Sequence, residues 1–266
     1  MLSYHDLVSG LKQIELDSSK PVIAHASLRA FGELHGGAEA LLGALFLQLD
    51  ALMMPAFTYK TMITPPEGPP DNGMLYGSGE DQNLLAEIYS TAMPADPLMG
   101  RLAEKLRQHP SADRSMHPIL SFAGVGVSQA LRTQTLAEPL APIEALAAAS
   151  GWVLLLGVDH TCNTSLHAAE KRAGRRQFTR WALTEEGVRA CPNFSGCSNG
   201  FEQIEPLLRP ITRTVRIGAA EVRALPLAAM LETAAALIRE DPLALLCSSP
   251  DCERCQAIRN HPAPIL

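Results

Sequence analysis

The sequence predicts an α/β fold in which a central mixed sheet is flanked by helices and carries a small additional lobe. Continuous apolar runs, such as WVLLLGV at residues 152–158, are typical of strands buried on both faces. Segments with helical spacing alternate with these runs, which favours strands connected by helices. The 266 residues, 47% of them hydrophobic, suffice for one domain over residues 1–266.

The first half of the chain is predicted to begin with an amphipathic helix over residues 3–16, because Leu7, Leu11 and Ile14 share one face. Strands and helices then follow in the order strand 21–28, helix 38–49, strand 51–59, helix 98–110 and strand 119–126. Residues 64–83 are rich in Pro, Gly, Asp and Asn, and predict an irregular insertion loop. A loop of this length is usually functional or disordered.

The second half is predicted to continue the alternation and to end in a smaller C-terminal lobe at about residues 177–266. A helix over 142–150 runs into the strand over 152–158, and the next helix ends at Gly174. A hairpin over 177–191 turns at Glu186 and Gly187. The remaining elements are helices over 201–209 and 226–241, strands within 212–225, and an irregular last twenty residues.

Composition excludes several classes of protein. The net charge of −6 does not fit a nucleic-acid binder. The N-terminus carries acids where a signal peptide has basic residues, and no apolar run is long enough to span a membrane. We therefore expect a cytoplasmic protein without nucleic-acid or membrane partners. Six unevenly placed cysteines fit a cored enzyme better than a disulfide scaffold.

His167 is the first candidate for chemistry, because it follows the buried strand 152–158 and begins the next helix. Ligands of open α/β sheets gather beyond the carboxyl ends of such strands. Asn163 or Thr164 is expected to cap the helix, and the positive potential of its first turn favours a neutral imidazole, as a general base needs. The alternative is a capping or core histidine. Glu170, three residues further on, either orients the ring or faces solvent near Lys171 and Arg172.

Four segments, in this order, carry a family resemblance: HASLRAFGELHGGA at 25–38, MMPAFTY at 53–59, residues 96–126 with the core RSMHPILS, and residues 138–170 ending in NTSLHAAE. Together they resemble the aminoglycoside 3-N-acetyltransferase family, with its antibiotic-acetyltransferase fold, over about residues 20–180. The resemblance implies direct transfer of an acetyl group from acetyl-CoA to the 3-amino group of a 2-deoxystreptamine ring. It also implies an antibiotic-resistance enzyme that needs no metal and has an aminoglycoside as its partner. We expect a monomer or a homodimer.

The resemblance assigns the catalytic histidine to His167, in the Leu-His-x-Ala-Glu motif, with Glu170 beside it. Because the thioester oxygen gains negative charge during the reaction, the nearby hydroxyls of Thr164 and Ser165 are candidates to stabilise it. It implies CoA contacts from two groups of residues: Ala26, Ser27, Leu28, Arg29 and Phe31; and Ser115, His117 and Ser121, with Arg114 pairing a phosphate. The alternatives are an ordinary strand-to-helix turn for the first group and a structural loop for the second.

An aminoglycoside carries several ammonium groups, so its site is expected to offer carboxylates and aromatic faces. The candidates are Tyr59, Asp71, Asp96, Glu104 and also Asp81. Solvated surface acids are the alternative. Residues 191–201, CPNFSGCSNGF, depart from the family, whose common resistance enzymes carry acids in the comparable segment. An acetyltransferase for another amine therefore stays open.

The cysteines leave two further alternatives. Cys252 and Cys255 have the Cys-x-x-Cys spacing of a zinc site, which Cys191 and Cys197 can complete, although free thiols are the preferred interpretation and Cys247 is expected to be buried. Cys162 lies five residues before His167, so a thiol-dependent hydrolase is an alternative to direct acetyl transfer.

A non-catalytic CoA-binding member of the family is a further alternative, which does not depend on the cysteines.

Overall fold

In the computed structural model, which describes residues 1–262, ten strands form two sheets. They are β1 (Val22–Ala26), β2 (Leu52–Pro55), β3 (Met62–Ile63), β4 (Asp113–Arg114), β5 (Phe122–Val125), β6 (Trp152–Leu156), β7 (Phe178–Thr184), β8 (Gly187–Phe194), β9 (Arg213–Ile217) and β10 (Ala220–Pro226). The main sheet has the order β4-β5-β2-β1-β6-β10-β9, and a small sheet has the order β3-β7-β8.

The centre of the main sheet is parallel and its edges are antiparallel. Strand β1 pairs in parallel with β2 and β6, whereas β5 and β10 add to these strands in the antiparallel sense. Side chains of the parallel centre alternate between two hydrophobic clusters: Ile23, Val153 and Leu155 on one face, and Val22, Ala24, Leu154 and Leu156 on the other. Burial of both faces explains why these strands are apolar throughout.

Within residues 1–262, ten α-helices surround the sheets. They are α1 (Tyr4–Lys12), α2 (Gly37–Phe46), α3 (Glu80–Asn83), α4 (Gly100–Arg107), α5 (Ser128–Leu131), α6 (Ala141–Ala148), α7 (Leu166–Arg172), α8 (Glu205–Leu208), α9 (Leu227–Glu240) and α10 (Glu253–Asn260). Apolar residues of α1, α2 and α4 cover one face of the main sheet, and those of α6, α7, α9 and α10 cover the other. The predicted α/β fold with a mixed sheet between helices is confirmed.

Two segments that were predicted to be irregular each contain a helix in the structure. Residues 64–83 are irregular except for α3, and buried Asn72 fastens the loop to β7 through hydrogen bonds with the backbone of Thr179 at 2.7 and 2.9 Å. The expectation that the last twenty residues are irregular is wrong, because α10 forms there. Its residues Cys255, Ala257 and Ile258 are buried in the core, which stabilises so short a helix. Residues 263–266 lie outside the described residues.

The region after residue 177 contributes to both sheets. The predicted hairpin is present as β7 and β8, which turn between Thr184 and Gly187 and form the small sheet with β3. Strands β9 and β10 instead extend the main sheet beside β6. In residues 1–262, no helix combines the length and the apolar character needed to cross a membrane.

Candidate active site

A cavity of about 650 Å³ opens at the carboxyl ends of β1, β2 and β6, between the main sheet and the small sheet. Its walls come from these strand ends, from the start of α7, from the loop over 195–199 after β8, and from α10. This is the edge at which parallel α/β sheets bind ligands. The lining includes His25, Ala26, Tyr59, Cys162, Thr164, His167, Arg180, Cys197 and Arg254.

His167 is the second residue of α7, and its ring lies against the cavity wall with 7% of the residue exposed. Its Nδ1 lies 2.6 Å from Oε2 of Glu170, and its ring packs on Phe201 with centroids 4.8 Å apart. Because an ionised carboxylate only accepts hydrogen bonds, Nδ1 carries the proton in this pair, and Nε2 holds the lone pair when the ring is neutral. Among residues 1–262, no hydrogen bond engages Nε2.

Glu170 and Arg175 complete a buried chain of charges behind the imidazole. Oε1 of Glu170 accepts from Nη1 of Arg175 at 2.9 Å, and Nη2 of Arg175 donates to the carbonyl oxygens of Pro242 and Ala244. Glu170 and Arg175 are 1% and 3% exposed. Burial alone would raise the pKa of Glu170, but the hydrogen bonds and charges of His167 and Arg175 outweigh burial and lower it. Glu170 is therefore ionised at neutral pH.

The predicted pairing of His167 with Glu170 is thus present, and the alternative in which Glu170 faces solvent is wrong. The expected helix cap differs, since α7 begins after Ser165 and no side chain caps it. Asn163 instead accepts from the backbone N–H of Ser165 at 3.2 Å. Thr164 lies in the cavity wall, whereas Ser165 is fully buried away from the cavity. Only Thr164 of the two suits contact with a bound thioester.

The first predicted CoA group lies at the end of β1 and in the turn after it. Ala26 is in the cavity wall, and Ser27 borders a neighbouring open depression that shares Val158 and Cys162 with the cavity. Leu28 packs against the core, and Arg29 is exposed. Phe31 is 2% exposed within the core, which corrects the expectation that it contacts CoA.

The second predicted CoA group is buried outside the cavity, and this too is a correction. Ser115 exchanges hydrogen bonds with the backbone of Phe122, and Ser121 donates to the carbonyl of Ala56 at 2.8 Å. His117 accepts from two backbone N–H groups through Nδ1, and burial lowers its pKa to about 4. These side chains stabilise the polypeptide around β5.

Arg114 belongs to the same buried group. Its guanidinium donates to the carbonyl oxygens of Ala56, Thr91 and Met93 and to the hydroxyl of Ser121. A guanidinium engaged with this many acceptors is not free to bind a phosphate. The expected pairing of Arg114 with CoA is therefore not supported by its contacts.

None of the four acids predicted to contact the substrate is among the residues that line the cavity. Asp71 pairs with His261 at 3.0 Å on the surface, and Asp81 is exposed on α3. Asp96 caps the turn that precedes α4, and Glu104 holds Arg107 and the backbone of Ala95. Asp71, Asp96 and Glu104 thus make local contacts, and the assignment of the four acids to a substrate site stays a prediction.

Tyr59 is the one predicted substrate contact that lines the cavity. Burial raises its pKa to about 12, so its hydroxyl stays protonated at neutral pH. His25, on the same wall, is buried, and its pKa falls to about 3 because of that burial and the nearby charge of His160. His25 is therefore neutral.

Two arginines in the cavity wall were not predicted from the sequence. Arg180 lies under the small sheet, where its guanidinium donates to the carbonyl oxygens of Asn72 and Gly73. Burial and the charge of Arg254 lower the pKa of Arg180 to about 10, which leaves it charged at neutral pH. Arg254 donates to the carbonyl of Gly196 at 2.9 Å. In the described part of the chain, no carboxylate lines the cavity. Nothing in the local sequence indicated this charge, since β7 and α10 are brought to the cavity by tertiary packing.

Cys162 lies in the cavity wall, but among residues 1–262 it has no contact that would activate it as a nucleophile. Burial raises the pKa of its thiol, so the thiol is protonated at neutral pH. Within residues 1–262, no hydrogen bond joins Cys162 to His167. This geometry differs from that of a thiolate activated by an imidazole.

The family model described as aminoglycoside 3-N-acetyltransferase matches residues 23–239. The chain belongs to this family. Aminoglycoside N(3)-acetyltransferase IX of Micromonospora chalcea is 34% identical over 187 residues, which cover 65% of this chain and 61% of that protein. Aminoglycoside N(3)-acetyltransferase VIII of Streptomyces fradiae is 31% identical over 190 residues, which cover 63% of this chain and 60% of that protein. The chain therefore spans about three fifths of the length of these curated relatives.

The solved structures extend the likeness to almost the whole chain. The apoenzyme of aminoglycoside acetyltransferase AAC(3)-IVa superposes with a TM-score of 0.79 at 24% identity, covering 97% of each chain. At this identity the likeness concerns the fold. The fold that the resemblance implied for this family member is confirmed.

Proposed function

We propose that this member of the family is an acetyl-CoA-dependent N-acetyltransferase in which His167 is the general base. The observation that carries the proposal is the buried chain from Arg175 through Glu170 to His167, whose imidazole lies in the cavity wall. Glu170 fixes the tautomer in which Nε2 accepts a proton, and it stabilises the imidazolium that then forms.

In the proposed reaction, Nε2 of His167 accepts a proton from the substrate ammonium, and the freed amine attacks the thioester carbonyl of acetyl-CoA directly. The carbonyl oxygen becomes an oxyanion, and the hydroxyl of Thr164, which lines the same cavity, is the group that we propose stabilises it. Collapse breaks the carbon–sulfur bond, and His167 gives its proton to the departing CoA thiolate. The acylated nitrogen then loses its second proton to solvent. The products are an acetamide and CoA. No metal takes part in these steps.

Acetyl-CoA is proposed as the donor because the family's reaction uses it and because a solved relative, AAC-IIIb, is a binary complex with CoASH. The turn after β1 supports this proposal, since Ser27 and Arg29 are accessible where that strand reaches the cavity. Arg29 is the exposed cation of that turn, and we propose that it contacts the CoA phosphates.

Aminoglycosides are the first proposed acceptors. Relatives in this fold have been solved with gentamicin, apramycin and sisomicin. A second candidate is an amine that also carries an anionic group. Arg180 and Arg254 favour it, because their charges repel a polycation and attract an anion.

The test is release of the CoA thiol from acetyl-CoA with each of two panels, one of aminoglycosides and one of amines bearing a carboxylate or phosphate. Mass spectrometry then locates the acetyl group on the product. We expect acetyl transfer to an amine in one panel and loss of transfer in His167→Ala. Thiol-dependent hydrolysis would instead release CoA without an acetylated amine, and Cys162→Ala would abolish it. That outcome would overturn the proposal.

A further inference from the structure

Four of the six cysteines meet beside the cavity. Their Sγ atoms all lie within 4.8 Å of one another, and they belong to Cys197, Cys247, Cys252 and Cys255. Cys197 follows β8, Cys247 follows α9, and the other two lie at the start of α10. Cys252 is half-buried, and the other three are buried. All four are free thiols, so no disulfide explains their meeting.

The spacing of these sulfur atoms suits a tetrahedral metal ion. Four thiolates around zinc, each at about 2.3 Å, place their sulfur atoms about 3.8 Å apart. The Sγ atoms of Cys247 and Cys255 are 3.4 Å apart, and the widest pair in the cluster is within 4.8 Å. Small side-chain rotations therefore bring all four to zinc-ligand distances. The Cys252-x-x-Cys255 spacing, at the N-terminal end of a helix, is typical of structural zinc sites.

The surroundings also suit a zinc tetrathiolate, which carries a net charge of −2. The guanidinium of Arg254 donates to the carbonyl of Gly196, and that of Arg259 donates to the carbonyl of Cys247, so two cations lie beside the ligand backbone. The backbone N–H of Asn199 donates to Sγ of Cys197 at 3.5 Å. Hydrogen bonds and charges of this kind around the ligands tune structural metal sites.

We propose that Cys197, Cys247, Cys252 and Cys255 bind one structural zinc ion. Each thiol loses its proton to solvent as it binds the metal. Four protein ligands fill the tetrahedral shell and leave no position for water, so the ion takes no part in acetyl transfer. The proposal replaces the expectation of free thiols and exchanges Cys191 for Cys247. Cys191 is buried within β8, outside the cluster, where its Sγ contacts the carbonyl of Arg189.

The proposed zinc joins three separate segments where they form the wall of the cavity. Gly196, Cys197 and Arg254 line the cavity. A Cβ placed on Gly196 would lie 3.7 Å from both carboxylate oxygens of Glu170. The ion therefore fixes the loop that covers Glu170 and ties it to α10. Three of the four ligands lie beyond residues 23–239, the part that the family model matches.

The test measures metal directly and is independent of acetyl transfer. The untagged full chain, purified without chelators, is dialysed, and its zinc is measured by elemental mass spectrometry. We expect about one zinc per chain, released when a mercurial reagent blocks the thiols. Cys252→Ser and Cys255→Ser should lose this zinc, and Cys252→His, which keeps a ligand, should retain it. Cys162→Ser and Cys191→Ala are matched controls that should also retain it.

The measurement on the unsubstituted chain decides the outcome even if a ligand variant fails to fold. Fewer than about 0.1 zinc per chain after growth with added zinc would overturn the proposal. A disulfide among the four cysteines, detected in the non-reduced protein, would overturn it as well. Equal loss of zinc in Cys191→Ala would indicate that Cys191 is a ligand and would overturn the proposed ligand set.

Discussion

Two polar clusters meet at one wall of the cavity, and they differ in the partners that their side chains have. In the cluster of His167, Glu170 and Arg175, the carboxylate of Glu170 joins the other two side chains, and the imidazole of His167 lies in the cavity wall. In the part of the chain that the structure describes, the four thiols have only one another as side-chain partners, and a single tetrahedral ion would satisfy all of them. The first arrangement suits a proton transfer, whereas the second suits a structural metal. Their contact at Gly196 means that the stability of one bears on the geometry of the other.

The largest expected effect is the loss of thermal stability when the proposed zinc ion is removed. Because a structural zinc site commonly contributes several kcal/mol, chelation under mild denaturing conditions should lower the Tm by on the order of 10 °C. Differential scanning fluorimetry with and without a chelator measures the shift, and added zinc should reverse it. An unchanged Tm in protein shown to be metal-free would mean that metal binding at the thiol cluster does not stabilise the fold.

Substitution of Glu170 should harm both stability and activity. Glu170→Ala leaves the buried charge of Arg175 without its partner and should lower the free energy of unfolding by about 3–5 kcal/mol. Urea denaturation measures this change. The control is Glu144→Ala, which removes a partly exposed partner of Arg172 and should cost less than about 1 kcal/mol. Equal costs would contradict the buried chain of charges.

Glu170→Gln separates activity from packing because it keeps the shape of the side chain. An amide N–H that donates to Nδ1 would place the imidazole proton on Nε2, where it blocks proton acceptance from the substrate. We expect kcat to fall by about 10²- to 10⁴-fold, while the KM for acetyl-CoA changes little. Steady-state kinetics at saturating acetyl-CoA measure both constants. A rise in the KM for acetyl-CoA with an unchanged kcat would point to a structural role for Glu170.

The stability conferred by Glu170 should depend on pH in acid. Its pKa in the folded protein lies below the ordinary value of 4.5, so the carboxylate stabilises the folded state above that value. This stabilisation is lost as the pH falls from the ordinary value through the folded-state pKa. The gap in unfolding free energy between the unsubstituted chain and Glu170→Gln should narrow as the pH falls below about 4.5. A gap that stays constant down to pH 3 would contradict the ionised state assigned to Glu170.

The arginines should have the smallest effect, and it concerns substrate choice. Arg254→Met keeps the alkyl stem and removes one positive charge from the cavity wall. For an amine with an anionic group, KM should rise about 10-fold, which corresponds to about 1.4 kcal/mol, while the KM for an aminoglycoside should stay level or fall. Arg239→Met, on the exposed face of α9, is the control. If the KM is unchanged for both classes of substrate, Arg254 takes no part in substrate selection.

Local sequence patterns predicted the pairing of His167 with Glu170 because the contact is local. Residues three apart on a helix are neighbours, so the spacing of His167 and Glu170 was enough to predict their pairing. The position of this helix after a buried strand also predicted that His167 lies at the ligand-binding edge. Arg175 was not predicted, since its contact with Glu170 depends on how the chain turns after Gly174, where φ is +76°.

Contacts between distant segments could not be predicted in this way. The spacing of Cys252 and Cys255 indicated a possible metal pair, but the choice between Cys191 and Cys247 depends on the path of the chain after α9. Ser115 and Ser121 have the residue type of a binding loop, yet their hydroxyls bond to nearby backbone. A sequence does not reveal which polar side chains the backbone will engage.

The central claim is that Nε2 of His167 accepts the proton of the substrate amine. The most direct test is the rate of CoA thiol release by His167→Ala, with folding checked by circular dichroism and with imidazole added to the buffer. We predict a fall of about 10²- to 10⁴-fold in kcat and partial recovery with imidazole, which can enter the cavity as a replacement base. Full activity in the folded variant without imidazole would contradict the claim.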